Sequence, residues 1–171
     1  LLSQITNPCV AQILDHGFTE WHAYIAMEYL PGGDLRTLLD APVTPDRAVE
    51  MLIQLAGALD AVHGAGIVHC DVKPDNVLRR ADGTLAIVDF GIARKLGMDL
   101  SRSGPGNLVG TASYIAPERL SGGVADHRSD LYALGVLFHE MLTDRKPYVS
   151  GDPVKLLQMH RDAPLPQLPG D

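Results

Sequence analysis

Two cysteines, Cys9 and Cys70, are all that the 171 residues contain, far apart and without metal-ligand spacing. That usage excludes a disulfide framework and suits a reducing cytosol. The seven histidines are scattered singly with no His-x-x-x-His pair, so no histidine metal cluster is expected. Basic excess is missing too: a net charge of −7 argues against nucleic acid or an anionic membrane surface as partner. No run approaches the roughly 18 consecutive apolar residues of a membrane span. Leu1-Leu2 is followed at once by polar Ser3-Gln4, which does not read as a signal peptide. Internal repeats and low-complexity tracts are absent as well. What remains is a chain 46% hydrophobic, enough for one sizeable core. The expectation is a cytoplasmic domain without membrane contact from this segment, any anchor lying outside it.

Periodicity and breakers give the coarse layout. Gln12 to Phe18 and Ala23 to Tyr29 are β-prone and suggest a hairpin across Thr19-Glu20-Trp21-His22. Pro31-Gly32-Gly33 breaks the second strand, and Asp34 can cap a short helix carrying Leu35, Leu38 and Leu39. Thr44-Pro45-Asp46 is a helix start, with a hydroxyl cap, proline at the first position and acid in the first turn. Ala48, Leu52, Leu55, Leu59 and Val62 recur at helical spacing until Gly64 and Gly66 end that helix. Asn76 to Arg79 and Thr84 to Val88 flank Ala81-Asp82-Gly83 as a second hairpin. Ser129 reads as the cap of a helix through Leu131, Leu134, Val136, Leu137, Met141 and Leu142. Gly151-Asp152-Pro153 starts a last helix, and Ala163 to Asp171 reads as loop.

The chemistry is concentrated in His69-Cys70-Asp71-Val72-Lys73-Pro74-Asp75-Asn76, followed by Asp89-Phe90-Gly91. These are the groups and spacings that phosphoryl transfer from Mg-ATP requires. One aspartate accepts the hydroxyl proton, a lysine stabilises the moving phosphoryl group, and an asparagine and a later aspartate hold the metal. Positioning and electrostatics carry most of that reaction, so loops set on rigid elements are the natural place for it.

Further matches run in order: Met27-Glu28-Tyr29-Leu30-Pro31-Gly32-Gly33-Asp34-Leu35, Gly110-Thr111-Ala112-Ser113-Tyr114-Ile115-Ala116-Pro117-Glu118, and Ser129-Asp130-Leu131-Tyr132-Ala133-Leu134-Gly135. With these, nearly the whole chain resembles the protein kinase family. Asp71-Val72-Lys73-Pro74-Asp75-Asn76 marks the Ser/Thr branch, and Asp82-Gly83-Thr84 with Ala163-Pro164-Leu165-Pro166 most resembles its bacterial (Hanks-type) members. The resemblance implies an α+β, protein-kinase-like fold. Residues 1–27 would be a remnant of the N-terminal lobe, 28–34 the hinge, and 35–171 an incomplete C-terminal lobe. It also implies a Ser/Thr kinase acting in signalling on protein substrates, with ATP and Mg²⁺ as cofactors.

Carried over residue by residue, Asp71 would be the catalytic base, Lys73 the phosphate-stabilising cation, and Asn76 and Asp89 the Mg²⁺ ligands. The backbone of Glu28 and Leu30 would bond the adenine edge, Met27 would guard the back pocket, and Leu78 would form the adenine floor. Asp34 is open between ribose ligand and plain helix cap. Thr111 would contact Asp71 and Lys73 and help bind the substrate hydroxyl, although a Gly-Thr pair is also an ordinary turn. Asp130 would hold the catalytic loop from below. Ile13, His69 and Phe90 match the hydrophobic column that aligns the lobes.

Departures from the family pattern narrow the expectation. No glycine-rich phosphate loop, strand lysine or helix glutamate precedes Leu1, so the sequence reads as a kinase fragment, inactive in isolation. Gly104-Pro105-Gly106-Asn107-Leu108-Val109-Gly110 has the wrong spacing and place for the missing loop and reads as an activation loop. Cys70 stands where the family has an arginine that pairs with a phosphorylated loop residue, so little dependence on phosphorylation of Ser101 or Ser103 is expected. A passive Cys70 is preferred over a redox role. The alternatives are a noncatalytic pseudokinase or binding module, and a small-molecule phosphotransferase. Lys73-Pro74 and the Gly110-to-Glu118 docking segment speak against the latter.

Overall fold

A computed structural model of the chain describes residues 5–90, 112–121 and 124–168. Thr111, Ser101, Ser103 and the Gly104-to-Gly110 run lie outside the described residues. The first hairpin pairs β1 (Ile13–Phe18) with β2 (Ala23–Met27), antiparallel. A register shift between Ile13 and Asp15 leaves Leu14 exposed. Thr19 closes the turn, its N–H donating to His22 O (2.7 Å) and its Oγ1 accepting from His22 N–H (2.9 Å). The second strand stops at Met27, and Tyr29, expected within it, is exposed.

Pro31 to Gly33 carry the chain across β3 (Val77–Arg79). Gly32 N–H donates to Arg79 O, and a Cβ on Gly32 would stand 2.5 Å from that oxygen, so only glycine fits. Asp34 then caps α1 (Leu35–Leu38). Thr44 caps α2 (Pro45–Gly64) as expected, Pro45 opens it, and Gly66 leaves it in the left-handed region at φ 72°. Its buried face is Ala48, Met51, Leu55, Ala58, Leu59 and Val62. Leu52, expected on that stripe, is only half-buried.

A single 3-10 turn, Pro74–Asn76, leads into β3, which pairs antiparallel with β4 (Leu85–Ile87). Asp82 Oδ1 accepts Thr84 N–H in the connecting turn, and Gly83 takes φ 91° there. The fully buried β4 also receives the segment ahead of β1: Ala11 N–H donates to Ile87 O (3.0 Å) and Ile87 N–H to Cys9 O (2.9 Å).

The last two helices are α3 (His127–Thr143) and α4 (Pro153–Asp162). Ser129 does not cap α3. Asp126 does, accepting Arg128 N–H at 2.8 Å, its charge suiting the positive end of the helix. Ser129 lies inside the first turn instead and donates its hydroxyl to Glu118 Oε1. Leu131, expected on the buried stripe, is exposed. Asp152 caps α4 through Val154 N–H (2.9 Å). One core joins α2, α3 and β4, through Leu55, Leu59, Val62, Ile87, Leu137 and Met141 among others. Burying each of these large side chains contributes about 1.5–3 kcal/mol. The fold is α+β, with the loop of residues 69–76 set over this core.

Candidate active site

The loop after α2 is held from below by one buried carboxylate. Asp130, 1% exposed, accepts His69 N–H on Oδ2 and Cys70 N–H on Oδ1, both at 2.8 Å, and His63 Nε2 lies 2.8 Å from Oδ2. Cys70 takes φ 68°, a conformation rare for a side-chain-bearing residue. Its carbonyl accepts Arg119 Nη1 at 2.7 Å, so both ends of the residue are fixed.

Above it stands His69, fully buried. Its Nε2 faces Val88 O at 2.9 Å, and its Nδ1 lies 3.2 Å from Asp71 N–H. A carbonyl needs a donor and an N–H needs an acceptor, so the proton sits on Nε2 and the ring is neutral. Burial, which pushes the imidazole below its usual value, agrees. The ring thus ties the Asp71 backbone to the strand end that presents Asp89, and Phe90 packs on it with ring centroids 5.0 Å apart.

Asp71, Lys73 and Asn76 meet at one carboxylate oxygen. Lys73 Nζ donates to Asp71 Oδ2 at 2.9 Å, and Asn76 Nδ2 donates to Asp71 Oδ2 (3.0 Å) and Asp71 O (2.8 Å). Two acceptors on Nδ2 orient the amide and leave its carbonyl oxygen for another ligand. Asn76 O accepts Val88 N–H at 2.9 Å, which places the asparagine against the residue preceding Asp89. Asp89 is exposed, in the left-handed region at φ 56°. An amide oxygen and a carboxylate are hard donors, of the kind that would hold Mg²⁺. Among the described residues no group of three or more His, Cys, Asp or Glu side chains is arranged for a metal.

Across the loop, Met27 and Leu78 pack in one apolar cluster with Ala11, Leu30, Ala86 and Val88. Glu28 N–H donates to Gln12 O (3.0 Å), while its carboxylate is bound by Arg80, which holds it below the usual carboxylate range. Asp34 Oδ1 accepts both Thr37 Oγ1 (2.7 Å) and Thr37 N–H (2.8 Å), and these bonds lower its pKa. The cap is therefore formed, and it uses Oδ1 alone. An isolated bridge between Asp34 and Leu78 sets the cap beside the apolar cluster.

Sequence reading missed a polar cluster on the other flank. Arg36 Nη1 donates to Glu140 Oε1 (2.8 Å) and Arg36 Nη2 to Tyr114 OH (2.6 Å), while Tyr114 OH donates to Glu140 Oε2. Burial and the Glu140 charge push the Tyr114 phenol far up, so it stays a donor. Arg36 Nη2 also lies 3.8 Å from Asp75 Oδ2, beside the catalytic loop. Lys146 Nζ sits 5.4 Å from the Tyr114 ring centroid. The cluster pins the Ala112-to-Ala116 segment to α1 and α3. Its members are up to 104 residues apart, and no local pattern announces them.

The protein kinase domain profile matches residues 1–166. The chain belongs to the protein kinase family. This kinase domain is 36% identical over 168 residues to serine/threonine-protein kinase PknL of Mycobacterium tuberculosis (strain CDC 1551 / Oshkosh), covering 97% of the chain and 42% of that protein. It is 40% identical over 166 residues to serine/threonine-protein kinase PknD of the same strain, covering 96% of the chain and 25% of that protein. Serine/threonine-protein kinase PknB of Mycobacterium leprae is 36% identical over 169 residues, covering 95% and 27% respectively. The chain thus spans less than half the length of these curated relatives. They place the kinase domain in the bacterial Ser/Thr branch, a family that uses ATP and a divalent metal. No helix among the described residues is long and apolar enough to cross a membrane.

Proposed function

We propose that this kinase domain transfers the γ-phosphate of ATP, with Mg²⁺, to Ser or Thr of protein substrates. The observation that supports this most is the convergence of Lys73 and Asn76 on Asp71 Oδ2, on a loop locked by Asp130 and His69. In this reading Asp71 orients the substrate hydroxyl and accepts its proton. Lys73 steadies charge on the moving phosphoryl group, and Asn76 and Asp89 would hold a Mg²⁺ ion whose charge would offset that of the phosphates. Met27 guards the back pocket, Leu78 forms the adenine floor, the Glu28 and Leu30 backbone bonds the adenine edge, and Asp34 Oδ2 serves the ribose. Thr111 assists from outside the described residues. The hinge at 28–34 then separates an N-terminal portion, 1–27, from the C-terminal lobe, 35–171.

The test is phosphorylation of a generic Ser/Thr protein substrate by the full-length protein. Asp71→Asn is expected to lower kcat about 10²- to 10⁴-fold, the range for a general base, with ATP affinity retained. Asp89→Ala is expected to abolish Mg²⁺-dependent nucleotide binding as well. Wild-type protein that binds ATP yet transfers no phosphate, and is indifferent to Asp71→Asn, would instead be a binding module. The neutral Cys70 thiol offers a phosphate no cation, so a Ser101→Ala, Ser103→Ala double variant is expected to keep wild-type activity. Collapse of its activity would overturn that expectation.

A further inference from the structure

Arg80 leaves the β3–β4 turn and binds two separate stretches of chain at once. Its Nε donates to Pro8 O (3.0 Å), its Nη2 to Val10 O (3.4 Å) and Glu28 Oε1 (2.7 Å), and its Nη1 to Glu28 Oε2. Glu28 is gripped from the other side as well: Gln12 N–H donates to Glu28 Oε1 at 2.7 Å and Glu28 N–H to Gln12 O at 3.0 Å. The Glu28 N–H and both of its carboxylate oxygens are thereby tied down.

Around this hub lie the residues of the nucleotide pocket. Met27 precedes Glu28 and Leu30 follows it, Ala11 follows Val10, and Leu78 lies two residues before Arg80. All four belong to the same apolar cluster. The ion pair is mostly withdrawn from water, with 25% of the Arg80 side chain and 21% of the Glu28 side chain exposed. It is bidentate, the geometry that gives an arginine–carboxylate pair its direction as well as its strength. A freely solvated surface pair of the same charges would fix nothing.

Resting on the nucleotide reading above, we propose that Arg80 is a positioning residue for adenine recognition. By holding the Glu28 carboxylate and the Pro8 and Val10 carbonyls, it sets the orientation of the Glu28–Leu30 backbone at the purine edge. It touches neither the phosphates nor the peptide. A hydrogen bond weakens steeply within a few tenths of an ångström and about 30° of misalignment, so a hinge released from Arg80 loses purine affinity without losing catalytic groups.

The experiment uses the full-length protein and measures ATP and adenosine dissociation constants, KM for ATP, kcat at saturating ATP, and KM for a protein substrate. Arg80→Ala is expected to weaken ATP and adenosine by the same factor, roughly tenfold, as loss of a charge-assisted bond implies. Both kcat and the protein-substrate KM should stay unchanged. Arg80→Lys should recover part of the loss, since an ammonium can reach Glu28 but cannot span two carbonyls and a carboxylate. Adding Arg80→Ala to Glu28→Gln should weaken binding less than it does in the wild type, because the two act through one bond. Loss for ATP but none for adenosine would overturn the inference, as would unchanged nucleotide affinity. An equal fall in all parameters with a lowered Tm would reduce Arg80 to a scaffold residue and overturn it too. Should Arg80→Ala not fold, Arg80→Lys and Glu28→Gln carry the same comparison. A wild type that binds neither nucleotide defeats the function proposed above, whereas binding that ignores Arg80 defeats this inference alone.

Discussion

Asp130 shows what a single buried carboxylate does for a loop that has no secondary structure of its own. Its two oxygens satisfy the His69 and Cys70 N–H groups, which would otherwise be orphaned under the catalytic loop. Asp130→Ala removes both acceptors and is expected to destabilise the domain by about 3 kcal/mol, measured by denaturant unfolding. The same variant should lower kcat, because His69 and the Asp71 backbone then lose their anchor. Asp71, Lys73, Asn76 and Asp130 were legible in the sequence, since each lies inside a short motif whose spacing implies its role. Arg80, Arg119 and the Arg36–Tyr114–Glu140 cluster were not. Each acts across 49 or more residues except the Tyr114–Glu140 bond, at a separation of 26, and a lone arginine in sequence reads only as a solvated cation.

Among the elements, α2 carries the most consequence, because it delivers the chain into the catalytic loop and packs on α3 and β4. Its start was written locally by Thr44-Pro45-Asp46, and the cap forms as written. Thr44→Ala is expected to cost about 1 kcal/mol, read as a shift of the denaturation midpoint at constant slope. Leu55→Ala, at a fully buried position, is expected to cost about 2–5 kcal/mol by the same measurement. Which face turned inward was only partly legible. Met51 and Ala58 joined the buried stripe and Leu52 moved to its flank, because the partner surfaces of α3 and β4 set its centre. The start of α3 was misplaced for a related reason. Both Asp126 and Ser129 can cap, and the tertiary contact with Glu118 claimed Ser129.

For the whole molecule, buried histidines are expected to contribute to the response to mild acid. Burial holds His69 and His160 below the ordinary value of 6.5. His160 Nδ1 faces Tyr132 OH at 2.8 Å and its ring lies 4.9 Å from that of Tyr148, while Nε2 has no partner among the described residues. A depressed histidine pKa means the unfolded chain binds protons more readily. Stability is therefore full above about pH 6.5 and is lost as pH falls through the lowered folded values. Unfolding free energy measured at pH 7.5 and 5.5 should drop at the lower pH, by at most about 1.4 kcal/mol per pH unit for each histidine. His160→Gln should remove part of that slope. An unchanged slope in this variant would assign the acid response to other groups.

The sequence by itself determined the family, the branch and the element order, and it pointed to the groups proposed for phosphoryl transfer. Those follow from short-range chemistry: helix caps, turn glycines, strand alternation and a motif whose reactive residues are almost adjacent. Only the tertiary structure decided the His69 tautomer, the burial of Asp130 and the hub that Arg80 makes around Glu28. Each of these depends on which distant backbone carbonyl or side chain arrives within hydrogen-bond reach. That arrival is set by how α2, α3 and the two hairpins pack, a property of the closed core that no local stretch of sequence contains.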